Sequence, residues 1–350
     1  MKIAVVTDAW TPQTNGVVTT LSRTRECLTK MGHDVVYVTP QSFKTIPLPT
    51  YPDIRISLFP GRKVYKTLDE FEPDAVHIAT EGTLGAAARR YCLKRSIKFT
   101  TAYHTQFPYY VRLRVPIPIS FSYAVLRQFH AKSERIMVPT ESQRQELLKW
   151  GFKNVVIWSR GVDTELFKPR TKSFIKDERP ITLYAGRVAV EKNLDAFLSL
   201  DIPGTKYIVG DGPDREALSK KYPDAKFVGF KFGEELASYM AAADTFVFPS
   251  RTDTFGIVML DAMACGVPVA AYPVTGPVDV VQHGVTGVLD DDLGKAVQQA
   301  QALSPQNARE YAEKHSWMAA TEQFYSHLEI NKKEETEACL DSDSTSKLVS

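Results

Sequence analysis

The chain has few cysteines and no long apolar run, and both absences narrow the class of protein. Four cysteines occur among 350 residues, without a Cys-x-x-Cys pair: Cys27, Cys92, Cys265 and Cys339. Disulfide and zinc frameworks are therefore not expected, whereas a reducing, cytoplasmic compartment is. The chain contains no run of about 18 apolar residues, so no membrane-spanning helix is predicted. The N-terminus MKIAVVTDAW reaches Asp8 too early for a secretory signal peptide.

Two nucleotide-binding signatures are also missing. No GxGxxG follows a strand-like segment, and the second such segment ends YVTP, without an acid to hold a ribose. No GxxxxGK[ST] occurs. These absences argue against a dinucleotide-dependent dehydrogenase and a P-loop nucleotidase. No acidic cluster predicts a metal site, and the basic residues lack a nucleic-acid-binding motif with stacking aromatics, so neither partner is expected.

The formal net charge of +2 conceals an uneven distribution. Residues 1–165 contain 23 Lys and Arg against 14 Asp and Glu, whereas the remainder contains 20 against 27. A basic first half can attract an anionic substrate or surface. A difference between two solvated faces explains the same count, and both interpretations stay open here.

Short apolar runs alternate with helical patterns along the whole chain. Near-continuous runs of this kind are typical of parallel strands buried on both faces. The predicted strands are KIAVVTD, DVVYVTP, DAVHIAT, FTTAYHT and RIMVPT, followed by ITLYAGR, KYIVGDG, KFVGF, TFVFPS, PVAAYP and TGVLDD. Between the first two, VVTTLSRTRECLTKMG has helical spacing and ends at Gly32. The pattern predicts an α/β fold with two doubly wound, Rossmann-like domains.

A change in composition places the domain boundary. Residues 168–180, KPRTKSFIKDERP, are charged and flanked by proline, which is typical of a linker. We therefore predict one domain over residues 1–167 and a second over residues 181–308. Residues 309–330 have an apolar face at helical spacing. Residues 331–350 are polar and poorly periodic, which predicts a disordered tail.

The segment TLYAGRVAVEKNLDAF contains the first group of candidate site residues. Gly186 and Arg187 lie at the end of a predicted strand, and Lys192 lies just before a helix that Asn193 is predicted to cap. Two cations near a helix N-terminus are suited to an anion such as a diphosphate. Pairing with surface acids such as Glu191 is the alternative, and the position at the end of a strand favours the anion.

The segment TFVFPSRTDTFGIVMLDAMACG contains the second group. Ser250 and Asp253 follow a buried strand, and Gly256 precedes a helix on which Asp261 lies. Glycine lets a ligand approach the backbone, and the amides at a helix N-terminus can hold a phosphate. Carboxylates suit the vicinal hydroxyls of a sugar or ribose. Asp253 as a helix cap and Asp261 as a solvated residue are the alternatives, although the apolar neighbours of Asp261 disfavour the second.

Five segments together resemble the signature segments of family-4 retaining glycosyltransferases. They are TDAWTPQTNGVVTTL, SRGVDTELFKP, GRVAVEKN, IVGDGP and SRTDTFGIVMLDAMACGVPV, and they occur in the expected order between residue 3 and about residue 290. The resemblance implies the GT-B architecture, in which two Rossmann-like domains face each other across a cleft. It also implies that a final helix, for which residues 309–330 are the candidate, returns to the first domain.

The resemblance implies roles for the matching residues. Arg187 and Lys192 neutralise the diphosphate of the donor, and His104 lies near the reacting carbon. Asp253 and Asp261 match the two acids of the E-x7-E pattern, which contact the donor sugar and its ribose. Both are Asp in place of Glu, which shortens each side chain by about 1.5 Å. The other implied donor-binding residues are Gly16, Gly186, Ser250, Thr254, Phe255 and Gly256.

The implied function is retaining transfer of a hexose from a sugar nucleotide to a lipid or glycan, with no further cofactor and no metal. The TDTFG form slightly favours mannose from GDP-mannose, and a UDP-sugar-dependent glycolipid glycosyltransferase is the alternative. Another GT-B activity, such as a sugar-nucleotide epimerase, also stays open. So does a non-catalytic sugar-nucleotide-binding module, because both acids depart from the family pattern.

Basic residues of the first half suggest where a lipid acceptor would be met. Such a cluster can rest on anionic head groups at the inner face of a membrane. A solvated basic face is the alternative. The residues are Arg89, Arg90, Lys94 and Arg95 on one helical pattern, and Arg112 and Arg114 on either side of Leu113.

Overall fold

The computed structural model describes residues 1–13, 15–48, 51–112 and 116–331. Arg114, Leu113 and Cys339 lie outside these ranges, as does the predicted tail after residue 331. Asn331 itself is held in place: its amide nitrogen donates to the carbonyl of Asp74 at 2.8 Å, and its side chain accepts from the amide of Lys98 at 2.8 Å.

Two parallel six-stranded sheets and a small hairpin form the strand framework. The first sheet has the order β2-β1-β5-β6-β7-β8, and the second has the order β11-β10-β9-β12-β13-β14. β3 and β4 pair as an antiparallel hairpin. The strands of the first half are β1 Lys2–Val6, β2 Asp34–Val38, β3 Thr45–Leu48, β4 Tyr51–Ser57, β5 Ala75–Ile78, β6 Phe99–Ala102, β7 Ile136–Val138 and β8 Val155–Ile157. Those of the second half are β9 Ile181–Ala185, β10 Thr205–Val209, β11 Lys226–Gly229, β12 Thr245–Phe248, β13 Val269–Ala271 and β14 Gly287–Leu289.

Helices cover both faces of each sheet, so the central strands are buried throughout. All residues of β5, β6, β9 and β12 are buried, as the apolar runs predicted. The helices are α1 Gly16–Lys30, α2 Gly61–Phe71, α3 Thr83–Lys94, α4 Phe107–Arg112, α5 Ile119–His130, α6 Glu141–Lys149 and α7 Leu194–Leu198. They continue with α8 Arg215–Lys221, α9 Gly233–Ala242, α10 Ile257–Ala264, α11 Pro277–Val280, α12 Leu293–Ala300, α13 Pro305–Glu313 and α14 Trp317–His327.

The predicted helix over residues 309–330 is in fact two helices. α13 packs on α10 of the second domain and places Ala308 and Ala312 in the core of that domain. α13 ends at Glu313, with Lys314 as its C-cap. Ser316 then caps α14 by accepting a hydrogen bond from the amide of Ala319 at 3.1 Å. Only α14 reaches the first sheet, where Phe324 joins the core below β1. Residues 168–180 lie against the second domain, with Ile175 buried in its core.

No helix in the described ranges has the length and apolar character needed to cross a bilayer. Three of the cysteines are buried free thiols: Cys27, Cys92 and Cys265.

Candidate active site

The cleft forms where the order of strands reverses in each sheet. β1 lies between β2 and β5, and β9 lies between β10 and β12. At such switch points the loops after neighbouring strands diverge and leave a crevice at the carboxyl edge. Hydrogen bonds connect the two edges: the hydroxyl of Thr254 donates to the carbonyl of His104 at 2.7 Å, and that of Thr140 donates to the carbonyl of Thr254 at 3.2 Å.

Lys192 and Asp253 form an ion pair at the carboxyl edge of the second sheet. Lys192 follows β9 and Asp253 follows β12, and these two strands are hydrogen-bonded neighbours. Lys192 Nζ lies 2.6 Å from Asp253 Oδ1, and the side chains are only 19% and 16% exposed. Burial by itself lowers the pKa of Lys192, but Asp253, Tyr110 and Tyr184 outweigh it and the pKa is raised. The lysine is therefore a fixed positive charge.

One oxygen of this pair remains available to a ligand. Asp253 Oδ2 is buried and has no hydrogen-bond partner among the described residues. Leaving a buried carboxylate oxygen unsatisfied costs free energy. A sugar hydroxyl that donates to Oδ2 would remove that cost.

The turn that contains Lys192 is tied to the loop that contains Asp253. Ser250 Oγ donates to the carbonyl of Glu191 at 3.2 Å, so its hydroxyl already has a partner in the protein. Asn193 occupies the N-cap position of α7, as predicted, but its side chain makes no capping hydrogen bond there. Asn193 adopts a left-handed conformation with φ 54°, and its amide group donates to the carbonyl of Pro249 at 3.1 Å instead. These two hydrogen bonds, and no side-chain cap, thus hold Lys192 near Asp253.

The loop after Asp253 contains two of the predicted donor-binding residues, Phe255 and Gly256. Phe255 is buried in the core, and Gly256 has φ +82° at the start of α10. A Cβ on Gly256 would lie 2.7 Å from the ring of Phe248, which excludes any larger residue. In the part of the chain that the structure describes, no side chain caps α10. Gly16, at the start of α1, lies against Ile257, the first residue of α10.

Gly186 and Arg187 form the exit from β9. Gly186 has φ +151° and donates from its amide to the carbonyl of Val209 at 3.0 Å. The hydroxyl of Tyr184 donates to the carbonyl of Arg187 at 2.8 Å. A Cβ on Gly186 would lie 2.7 Å from that hydroxyl, so glycine is required for this exit.

Asp261 lies in a different electrostatic environment from Asp253. Burial raises its pKa to about 8, the charge of Arg23 opposes this shift and Asp163 adds to it. Arg23 lies on α1 of the first domain and bridges to Asp163 at 3.2 Å. A carboxyl with this pKa is largely protonated at neutral pH, so it both donates and accepts hydrogen bonds. The residue is partly exposed, so the solvated alternative stays open.

Two polar residues at the cleft edge of the first domain were not singled out from the sequence. The carboxylate of Asp8 accepts from the amides of Leu84 and Gly85 at 2.8 and 3.2 Å, at the N-terminus of α3. Burial raises its pKa, and these hydrogen bonds oppose the shift. Arg160 is buried and donates to Nδ1 of His104 at 3.0 Å. Asp8 and Arg160 each come shortly after a strand, and this position was the signal by which the sequence could have identified them.

Among the described residues, no three His, Cys, Asp or Glu side chains come together as a metal site. The candidate site instead combines the cation of Lys192, two acids in contrasting environments, a buried histidine with a guanidinium beside it, and turns that each contain a glycine.

Two sequence families match the chain, one on each side of the linker. Residues 14–166 match Glycosyltransferase Family 4, and residues 179–304 match Glycosyl transferases group 1. A GDP-mannose-dependent alpha-mannosyltransferase of Corynebacterium glutamicum is 30% identical over 322 residues, covering 83% of this chain and 77% of the relative. Its counterpart from Mycobacterium tuberculosis is 28% identical and covers 83% of each chain. An alpha-monoglucosyldiacylglycerol synthase of Streptococcus pneumoniae is 25% identical, covering 87% of this chain and 79% of the relative.

Solved structures share the fold at lower identity. Sucrose-phosphate synthase from Thermosynechococcus elongatus superposes with a TM-score of 0.74 at 22% identity, covering 93% of this chain and 97% of that one. Anabaena HepE in complex with UDP-glucose gives a TM-score of 0.70 at 17% identity, covering 93% and 98%. These neighbours confirm the predicted arrangement of two Rossmann-like domains.

The contact between Thr254 and His104 should contribute measurably to stability. In Thr254→Val the carbonyl of His104 loses its buried donor, so we expect the free energy of unfolding to fall by about 1–2 kcal/mol. Thr254→Ser keeps the hydroxyl and is the matched control. Urea unfolding measures both variants, and a Thr254→Val protein as stable as the wild type would contradict this role.

Proposed function

The chain belongs to the family-4, group 1 glycosyltransferases of GT-B architecture, and we propose that it transfers a hexose, preferentially mannose from GDP-mannose, to a lipid or glycan acceptor. One observation supports the site most directly. Lys192 and Asp253, far apart in the sequence, form a partly buried ion pair at the edge of the second sheet. The adjoining loop contacts the first domain through Thr254 and His104.

The proposed chemistry is stabilisation of the leaving group. Cleavage of the bond between the sugar and the diphosphate builds negative charge on the diphosphate. Arg187, Lys192 and the amides at the start of α10 are proposed to bind that charge. Groups already oriented towards developing charge stabilise the transition state more than the substrate, and each contact contributes on the order of 3 kcal/mol. This assignment needs no metal ion to bind the diphosphate.

The acids are proposed to orient the donor. Asp253 accepts from a hydroxyl of the transferred sugar through Oδ2, while Oδ1 stays paired with Lys192. Asp261 binds the ribose hydroxyls, and its raised pKa lets it donate as well as accept. Gly16, Gly186 and Gly256 allow the backbone to approach the donor, and Thr254 and Phe255 shape the turn between them. Retention at the anomeric carbon is part of the proposal because the family resemblance implies it, and no residue is assigned as a nucleophile.

The preference for GDP-mannose is supported by the two mannosyltransferase relatives. A UDP-hexose is the second candidate donor, because HepE was solved with UDP-glucose and shares the fold. The glucosyldiacylglycerol synthase supports a lipid as the acceptor.

A thermal-shift panel tests the donor. GDP-mannose at 100 times its Kd should stabilise the native protein by about 2.7 kcal/mol through mass action, with smaller effects from UDP-glucose and ADP-glucose. Asp261→Ala should lose most of this shift, whereas Asp224→Ala, on the surface of the same domain, should keep it. A larger shift with UDP-glucose would identify the second candidate donor. No shift with any sugar nucleotide would contradict the proposal.

Replacement of Lys192 tests the leaving-group role. Lys192→Ala removes the fixed cation, so we expect kcat to fall about a hundredfold or more, with native circular dichroism. Lys206→Ala is the matched control: Lys206 is another partly buried lysine of the second domain, and it donates to the carbonyl of Leu198 at 2.8 Å. Initial rates of transfer measure both variants. Equal activity of the two would exclude a catalytic role for Lys192.

The basic surface of the first domain is proposed to meet an anionic membrane. Two of its residues are engaged within the protein: Arg89 donates to the carbonyl of Phe129 at 2.7 Å, and Arg95 pairs with Asp69 at 3.0 Å. Arg90 and Lys94 have no ion-pair partner in the described ranges. They line a shallow cavity of about 310 Å³ together with Ala86, Arg89, Leu93 and Phe129.

Exposed apolar side chains lie beside these charges. Leu93 on α3 is exposed, as are Phe121 and Val125, which lie one turn apart on α5. The contact between Arg89 and Phe129 joins the two helices. A surface that binds anionic lipid typically combines exposed apolar residues with cations.

Liposome flotation tests this surface. The wild type should float with anionic vesicles more than with neutral ones, and the double variant Arg90→Glu with Lys94→Glu should lose most of the difference. Lys226→Glu with Lys314→Glu changes the net charge equally on exposed residues elsewhere and is the control. Equal flotation of the wild type with both kinds of vesicle would exclude anionic lipid as the partner.

A further inference from the structure

Arg160 is buried directly beside His104 in the first domain. It follows β8 and is 4% exposed. One terminal nitrogen of the guanidinium, Nη2, lies 3.0 Å from Nδ1 of His104. The other, Nη1, donates to the carbonyls of Trp158 and Ser159, and the guanidinium lies 4.7 Å from the ring centroid of Trp158. Three acceptors and a ring therefore hold the guanidinium in one orientation.

The chemistry of the guanidinium and the imidazole determines which group donates in the hydrogen bond between Arg160 and His104. A guanidinium has five N–H donors and no acceptor, so Nδ1 of His104 must accept. A neutral imidazole has one proton, and that proton must then be on Nε2. Burial, the charge of Arg160 and His77 lower the pKa of His104 well below its usual value, which keeps the ring neutral. Burial lowers the pKa of Arg160 to about 9, so the arginine is still charged at neutral pH.

The second ring nitrogen of His104 has no acceptor in the protein. Nε2 is buried, and none of the described residues hydrogen-bonds to it. The residue is 9% exposed, and its ring packs edge-on against Trp158 at 5.4 Å. A buried donor without an acceptor costs about 1–3 kcal/mol, and an oxygen of a ligand would remove that cost.

The position of His104 identifies the ligand atom. Its carbonyl accepts from the hydroxyl of Thr254, the residue after Asp253. Asp253 is the acid proposed to contact the transferred sugar. His104 therefore contacts the loop that is proposed to bind the sugar, so a sugar oxygen is the acceptor that we expect at Nε2.

We propose that Arg160 is a positioning residue that holds His104 as a neutral imidazole with its proton on Nε2, so that the histidine donates a hydrogen bond to an oxygen of the transferred sugar. The identity of the ligand rests on the proposed function. The position of the proton is a property of the protein alone and can be measured without substrate.

Nitrogen NMR of histidine-labelled protein measures the proton directly. The chain has seven histidines, and the signals of His104 are those lost in His104→Gln. In the wild type at pH 7 we expect a protonated Nε2 and an unprotonated Nδ1, with no change between pH 8 and pH 6. A proton on Nδ1, or an imidazolium at pH 7, would overturn the proposal, and this result does not depend on the folding of any Arg160 variant.

The variant Arg160→Met tests the cause. Without the guanidinium, Nδ1 loses its donor, so the nitrogen shifts of His104 should move towards those of a mixture of both tautomers. Arg144→Met is the matched control: Arg144 also donates to a backbone carbonyl of the first domain, that of Val155 at 3.1 Å, and should leave the His104 signals unchanged. An unchanged tautomer in folded Arg160→Met would show that Arg160 supports the chain but does not set the proton.

Kinetics test whether the donor on Nε2 is used. His104→Phe removes the N–H group and should lower kcat about a hundredfold, whereas His104→Gln keeps an amide donor and should lose about tenfold or less. Arg160→Met should lower kcat about tenfold with little change in the KM for GDP-mannose. Equal losses in His104→Phe and His104→Gln would contradict the hydrogen bond to the sugar. A wild type with the expected proton position and no transfer from GDP-mannose or UDP-glucose would contradict the proposed function and not the role of Arg160.

Discussion

The hydrogen bond from the hydroxyl of Thr254 to the carbonyl of His104 connects the two halves of the site. Thr254 belongs to the loop between β12 and α10 of the second domain. Through this bond, and through Thr140 from the same side, the loop is fixed against the first domain. This bond places the residue after Asp253 in contact with the buried His104, so the pair of Lys192 with Asp253 and the histidine belong to adjoining segments of the two domains. A transfer reaction needs this arrangement, because donor and acceptor must meet at a single carbon.

The charges at this cleft are each fixed by a neighbour. Lys192 is held charged by Asp253, and Arg160 is held among two carbonyls and an imidazole. Preformed orientation matters because groups that do not reorganise during the reaction stabilise developing charge most effectively. The buried atoms without a hydrogen-bond partner among the described residues include Asp253 Oδ2 and His104 Nε2, the two to which we propose a ligand binds. The same low exposure that makes these atoms costly when unpaired makes each bond to a ligand strong.

The predicted and observed folds agree where a pattern is long and buried on both sides. All six strands of the second sheet and five of the first follow apolar runs. The sixth, β8, was not predicted, although it lies in the apolar run VVIW of residues 155–158. The hairpin of β3 and β4 was missed as well. Residues 309–330 read as one helix because the apolar spacing continues through a break that Ser316 creates by capping α14. The cap at Ser316 thus divides the segment into two helices, although the spacing of its apolar residues continues across the division.

By itself, the sequence was sufficient to identify two α/β domains, the order of their strands along the chain, and the residue types suited to a diphosphate and a sugar. Those features depend on local composition and on motifs a few residues long. Only the tertiary structure joined Lys192 to Asp253, which are 61 residues apart, and Arg160 to His104, which are 56 apart. Crossover connections in a parallel sheet make strands neighbours that are not consecutive, and the contact between domains brings one strand edge to another. Contacts between residues so far apart in the sequence have no local signal, because tertiary packing determines them.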